Sequence, residues 1–321
     1  MAAVAAAVGA PDFVTPWLDR FYDEGDAELV LAASTGSGGG ADQAGAAPFT
    51  GFDAARLERA VRRAILDRDD SGAHAPADFH ARLEIWAMFE GWKDVPLAVH
   101  RRLADWDVDS YADRIRDDVQ GVRDGRPGDS YAARYGYLLL HEAEAIVAAQ
   151  DHIYLWPCDC RSIVGRCRRP KDACLRFKND RGLGWEISKE RAVDILRATD
   201  KAGLLHTADL QDDVADTSSI CSCCTDCCYP HLAAERLEAT AVWPARRYVA
   251  RIDGDLCTTC GRCGRRCPFH AIVCRPDGRP EFDAALCRGC GLCATGCAAQ
   301  AIVLLPLAPA PGADASPGMA R

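Results

Sequence analysis

Positive charge is not in excess in this chain. Across 321 residues, 47 acidic side chains stand against 38 basic ones, a formal net charge of −9. A nucleic-acid binder normally presents a basic face, so no nucleic-acid partner is expected. Long apolar runs are missing as well. The start, Met1 to Ala10, is rich in Ala and Val but lacks a basic flank and runs into Pro11-Asp12. It is too short for a signal peptide or a spanning helix, so a cytoplasmic protein without membrane insertion is expected. No P-loop, dinucleotide fingerprint, acid–base pair or nucleophile triad occurs, and no catalytic residue can be named. His74, His80, His100 and His141 are scattered without paired ligands and read as surface or capped core histidines.

Cysteine is abundant instead, with 18 residues. The spacings belong to metal sites rather than to a secreted disulfide framework, and free thiolates imply a reducing compartment. Two runs dominate. One is Cys257-Thr-Thr-Cys260-Gly-Arg-Cys263-Gly-Arg-Arg-Cys267-Pro268; the other is Cys287-Arg-Gly-Cys290-Gly-Leu-Cys293-Ala-Thr-Gly-Cys297. They form an internal repeat offset by 30 residues, in which Ile252-Asp253 maps onto Phe282-Asp283 and Ala271-Ile272-Val273 onto Ala301-Ile302-Val303. Both read C-x2-C-x2-C-x3-C, the spacing that wraps a [4Fe–4S] cube.

Over roughly 246–305 the chain resembles the dicluster bacterial-type ferredoxin domain. The resemblance implies two [4Fe–4S] clusters, one held by Cys257, Cys260, Cys263 and Cys297 and the other by Cys287, Cys290, Cys293 and Cys267. Ala298 stands where proline usually follows the last cysteine, which costs loop rigidity rather than a ligand. Cys274 falls opposite Leu304 in the repeat and reads as a small core hydrophobe.

A second cysteine group lies upstream. Cys158, Cys160, Cys167 and Cys174 precede a helix that Ser188 caps and Gly203 closes; Cys221, Cys223, Cys224, Cys227 and Cys228 follow it. One helix and a turn would let the two groups fold back onto each other as candidate ligands of an additional site. Soft thiolates select zinc, copper(I) or iron–sulfur. C-x-C is a poor chelate for one tetrahedral zinc, and nine thiols exceed its need. An iron–sulfur centre therefore ranks ahead of zinc, with vicinal dithiol redox chemistry as a third reading. Arg161, Arg166, Arg168, Arg169 and Lys171 lie beside these thiols, either as a solvated loop or as compensation for an anionic centre. Arg262, Arg265, Arg266 and Arg288 flank the ferredoxin cysteines in the same way. Over about 130–305 the pattern resembles poorly characterised 4Fe-4S binding proteins that carry such a module before a dicluster ferredoxin domain. That form has a third consecutive Cys and then Gly, where this chain has Cys227-Cys228-Tyr229.

The expected fold is α+β. A helical N-terminal region over 1–129 loosely suggests a degraded winged-helix module. A Cys-rich metal-binding module over 130–240 follows, then a βαββαβ ferredoxin domain over 246–305 and a disordered tail over 306–321. Helical patterns cover about 53–67, 79–92, 95–118 and, as one long helix, Tyr131 to Gln150, while Asp67 to Ala77 reads as a polar connector. Leu83, Trp86, Phe89 and Trp92 form an aromatic stripe read as core packing. Gly36 to Ala47 reads as a flexible loop. The expected function is electron transfer through two [4Fe–4S] clusters to an unidentified redox partner protein, with a third cluster or zinc in the upstream module. Two alternatives are a reductase whose catalytic site is that module and a redox- or metal-responsive regulator.

Overall fold

The computed structural model describes residues 1–36, 51–92, 94–126 and 128–307. Most of the Gly/Ala-rich stretch and residues 308–321 of the tail lie outside them. The chain divides into two compact units. One comprises Met1–Asp107 with Ser162–Val164 and Asn179–Leu183; the other comprises Val108–Arg161, Gly165–Lys178 and the chain from Gly184 on.

The first unit is built on helices Ala2–Val8, Glu24–Gly36, Ala54–Arg62 and Phe79–Phe89, with a 3-10 segment at Asp12–Arg20. Asp53 and Asp78 start two of them, each carboxylate accepting a backbone N–H three residues on, at 2.8 and 2.7 Å. The residues expected as a polar connector instead form a hairpin of β1 (Leu66–Arg68) and β2 (His74–Pro76). Its turn is fixed by Asp69, whose Oδ1 gathers the N–H groups of Ser71 and Ala73, both at 2.9 Å, while Gly72 takes φ 85°. Trp86 packs in the core against Phe21, ring centroids 4.3 Å apart, which supports the packing role of the aromatic stripe. His80 stacks on Trp106 and pairs with Asp107, and His100 stacks on Trp92.

The second unit centres on a six-stranded antiparallel sheet. Its strands are β3 (Tyr135–Leu138), β4 (Tyr154–Pro157), β5 (Asp172–Arg176), β6 (Trp185–Glu186), β7 (Leu205–Asp209) and β8 (Ser219–Cys223), in the order β3-β7-β8-β5-β4-β6. Helices Leu140–Ala149 and Lys189–Lys201 bury one face of it, with Ile146, Val147 and Leu196 against Leu175 and Ile220. Side chains alternate along a strand, so Cys174, Cys221 and Cys223 fall on the opposite face. Ser188 caps the second helix through the Arg191 N–H, and Gly203, at φ 78°, closes it.

The single helix expected from Tyr131 to Gln150 is broken into a short helix Tyr131–Arg134, strand β3 and helix Leu140–Ala149. Tertiary pairing with β7 sets the strand. At Gly136 a Cβ would lie 2.8 Å from Leu210 Cδ1 and 3.1 Å from the Ala245 carbonyl oxygen, so the backbone is closely approached there. The helix restarts where Glu142 Oε2 accepts the Leu139 N–H at 2.7 Å.

The C-terminal part runs β9 (Tyr248–Ile252), a short helix Arg262–Arg266, β10 (Ile272–Cys274), β11 (Pro280–Phe282), a second short helix Leu292–Thr295 and β12 (Ile302–Pro306). β9 pairs with β12 and β10 with β11, both antiparallel, which gives the expected βαββαβ order. The repeat is visible in the backbone. Thr259 and Gly289, Gly261 and Gly291, and His270 and Gln300 are pairs 30 residues apart, and every member has positive φ. Pro306, expected as the first residue of the tail, belongs to β12, and the Leu307 N–H donates to the Arg247 carbonyl at 2.8 Å. Overall the protein is α+β. Among the described residues no helix is long and apolar enough to cross a membrane.

Candidate metal centres

All eighteen cysteines are free thiols. In the C-terminal part they surround two cavities. One is walled by Cys267, Cys287, Cys290 and Cys293 with Phe269 and Ile272. The other is walled by Cys257, Cys260, Cys263 and Cys297 with Ile252 and Ile302. Each cage thus takes three cysteines from one half of the repeat and the fourth from the other half. Two left-handed glycines bring backbone close around the cages. Gly289 has φ 67°, and a Cβ there would stand 2.1 Å from the Tyr248 carbonyl oxygen; at Gly278, φ 83°, it would stand 2.0 Å from that of Thr259. Backbone amides turn inward, as where the Ala301 N–H donates to Cys297 Sγ at 3.3 Å. Burial pushes the Cys293 thiol up to about 12 and raises Cys290 too, so only a cation in the cage would hold them as thiolates. Cys274, expected as a core hydrophobe, does sit in the apolar cluster of this part, and its thiol also touches Cys263.

The upstream cysteines are brought together from both sides of the helix Lys189–Lys201. Six of them form a closed circuit in which each thiol interacts with the next: Cys158, Cys174, Cys221, Cys223, Cys228, Cys160 and back to Cys158. The fold explains the membership. Cys174 comes from β5 and Cys221 and Cys223 from β8, three sulfurs on one sheet face. Cys158 is the N-cap of helix Asp159–Val164 and accepts the Arg161 N–H at 3.4 Å. Cys228 is the N-cap of helix Tyr229–Arg236, whose first N–H donates to Cys160 Sγ at 3.4 Å. The remaining three thiols, Cys167, Cys224 and Cys227, form a separate group.

The thiols of the circuit divide. Neighbouring thiols hold Cys158 and Cys223, three places apart, well below the usual range, while burial and the paired thiols push Cys160, Cys174, Cys221 and Cys228 well above it. Arg161 is 2% exposed, and Cys158, Cys174, Cys223 and Cys224 are the charges it feels. Its Nη1 donates to the Ser222 carbonyl at 2.7 Å, but its buried Nε and Nη2 find no acceptor among the described residues. A buried guanidinium with two idle donors is costly unless an anionic group sits against it. Arg166, Arg168, Arg169 and Lys171 are exposed instead. Asp159 adds a carboxylate within 4.8 Å of Cys158 and Cys174, and burial raises its pKa.

The ferredoxin part and the circuit share one packed cluster. Cys223, Cys228, Tyr137, Leu205 and Leu292 are buried together, with Cys290 and Phe269 at the edge. Polar ties clamp the same interface. Arg266 Nη2 donates to Asp200 Oδ2 at 3.1 Å, and Thr295 Oγ1 donates to Asp200 Oδ1 at 3.0 Å. Sequence reasoning missed Asp200, Leu292, Thr207 and His231. Thr207 Oγ1 lies 3.3 Å from Cys223 Sγ, and His231 stacks toward Tyr137 and Phe269. Single residues of common type inside helices and strands carry no spacing that could have revealed them.

Cages of this construction, in a βαββαβ frame, define the 4Fe-4S ferredoxin type. Comparison with known families agrees: residues 250–273 match one 4Fe-4S binding domain and residues 279–302 match another. No curated protein and no solved structure matches the chain. The protein is an iron–sulfur protein with two 4Fe-4S ferredoxin-type domains at its C-terminus.

Proposed function

We propose that the protein is a one-electron carrier that passes electrons from its ferredoxin part to a metal centre in the six-thiol circuit. Cys257, Cys260, Cys263 and Cys297 would hold one [4Fe–4S] cluster, and Cys287, Cys290, Cys293 and Cys267 the other. When bound, these clusters supply reversible one-electron transfer. The observation that carries the reading is the pair of cages, each closed by a cysteine from the opposite half of the repeat.

Exposure supports a direction for the transfer. Cys260 is exposed, whereas Cys287 and Cys293 are buried. The first cage would then receive electrons from a redox partner protein and the second pass them inward. Leu292 is buried in one apolar cluster with Cys223 and Cys228, and Cys290 and Phe269 pack against it. Arg161 places its two idle N–H donors where a centre in the circuit would carry negative charge. An iron–sulfur centre suits this circuit better than one zinc, because six thiols exceed a tetrahedron.

Anaerobic coulometric titration tests the proposal. Two cubes accept about two electrons. The full chain is expected to take up more than that, and Cys223→Ser is expected to fall back to about two. Equal uptake by both proteins, at about two electrons, contradicts a redox centre in the circuit.

A further inference from the structure

The three thiols outside the circuit have a geometry of their own. Cys167, Cys224 and Cys227 bring their sulfurs within 4.8 Å of one another, with Cys167 and Cys224 3.6 Å apart. Cys224-Thr-Asp-Cys227 is a tight turn directly after β8, and Cys167 lies on the loop that Gly165, at φ 64°, turns out of helix Asp159–Val164.

Spacing separates the metals that three sulfurs could hold. A tetrahedral ion with metal–sulfur bonds of about 2.3 Å sets its ligand sulfurs about 3.8 Å apart. A cube spreads its thiolates wider, since each one grips a different iron. Sulfurs all within 4.8 Å fit a single ion. Among the described residues no fourth His, Cys, Asp or Glu joins the group. Cys224 and Cys227 are buried and Cys167 is half-buried, so the group opens toward solvent on the Cys167 side.

We propose that Cys167, Cys224 and Cys227 form a mononuclear site for a thiophilic divalent cation of the zinc class, with the fourth coordination position left to water or a small added thiolate. The site is separate from the circuit and does not rest on what the circuit holds. Loading is not a redox step: three thiols release three protons as the cation binds, and three metal–sulfur bonds form. Three thiolates and a divalent cation leave one negative charge. Arg161, which feels Cys224, offsets it from inside, and the exposed Arg166, Arg168 and Arg169 offset it from outside. Three protein ligands plus an open position is the pattern of zinc sites that act on an added ligand, whereas structural sites close with four.

The test uses the full chain, produced in zinc-poor medium supplemented with cobalt and purified without oxygen. About one cobalt per chain is expected, with an intense thiolate-to-cobalt charge-transfer band and the visible bands of a tetrahedral ion. Cys167→Ser and Cys227→Ser should each abolish those bands while iron, sulfide and the cubane EPR signals stay as in the parent. Cys167 lies half-buried in a loop, so its variant keeps the fold. Adding 2-mercaptoethanol should shift the visible bands by occupying the fourth position. A cobalt protein without thiolate charge transfer overturns the proposal. Loss of iron in Cys167→Ser overturns it too, by placing these sulfurs in an iron–sulfur centre. Visible bands indifferent to added thiol overturn the open position.

Discussion

Glu142 and Arg247 are joined by two parallel hydrogen bonds, Nη2 to Oε2 at 2.6 Å and Nη1 to Oε1 at 2.9 Å. Glu142 is 2% exposed and Arg247 belongs to the segment entering β9, so the pair ties the ferredoxin part to the helix behind β3. Tyr248 OH adds a third bond to the same carboxylate at 2.8 Å. Removing the carboxylate strands a guanidinium and a hydroxyl. Glu142→Ala should cost about 2–3 kcal/mol, less than a fully buried pair because Arg247 is partly in water. Anaerobic denaturant unfolding reads the loss, and faster amide exchange in β9 would locate it.

At Gly289 the shape of the cage depends on the absence of a side chain. Gly289→Ala combines a left-handed conformation with a Cβ 2.1 Å from a carbonyl oxygen. It should cost at least about 2 kcal/mol and release iron from the Cys287 cage. Gly254→Ala meets nothing within 4 Å and serves as the neutral control. Iron content after gel filtration distinguishes the two.

Membership of the cages is open to a crosswise test. Cys267→Ser should remove the same EPR signal as Cys287→Ser, and Cys297→Ser the same signal as Cys257→Ser. Pairing within each half of the repeat would instead give matching losses for Cys267 and Cys257.

The first unit carries its own acid sensitivity. Arg82, fully buried, donates to the Phe21 carbonyl and to both oxygens of Glu90, and Arg63 donates to Glu90 as well. Burial alone would raise the Glu90 carboxyl, yet these bonds hold it at about 2. Its unfolded value is about 4.3, so the folded pKa is depressed. The stabilisation is present above that unfolded value and is lost as pH falls toward 2. Glu90→Gln should cost about 1 kcal/mol at pH 7 after allowing for solvent screening, and the gap to the parent should close in acid. Denaturation curves across that range check it.

The two ferredoxin runs were fully legible, because ligand spacing fixes the loop and the 30-residue repeat fixes the strands around it. The upstream thiols were legible as two groups that converge but not as a partition. Cys223 and Cys224 are sequence neighbours, yet β8 ends between them, and the first joins the circuit while the second opens the turn that carries the group of three. Tyr131 to Gln150 misled because Tyr135, Leu138, Leu139 and Ile146 fit a helical period, while the strand in their midst is set by tertiary pairing with β7. The β1–β2 hairpin was hidden because three-residue strands leave almost no period to read. Arg161 was one of five basic residues flanking the upstream thiols, and only burial singles it out.

Iron and acid-labile sulfide counted per chain, in anaerobically purified parent and Cys223→Ser, test the central claim most directly. Two cubes account for about eight irons. The expected result is clearly more than eight in the parent and about eight in the variant, with both cubane EPR signals retained. About eight irons in both proteins would contradict an iron–sulfur centre in the six-thiol circuit.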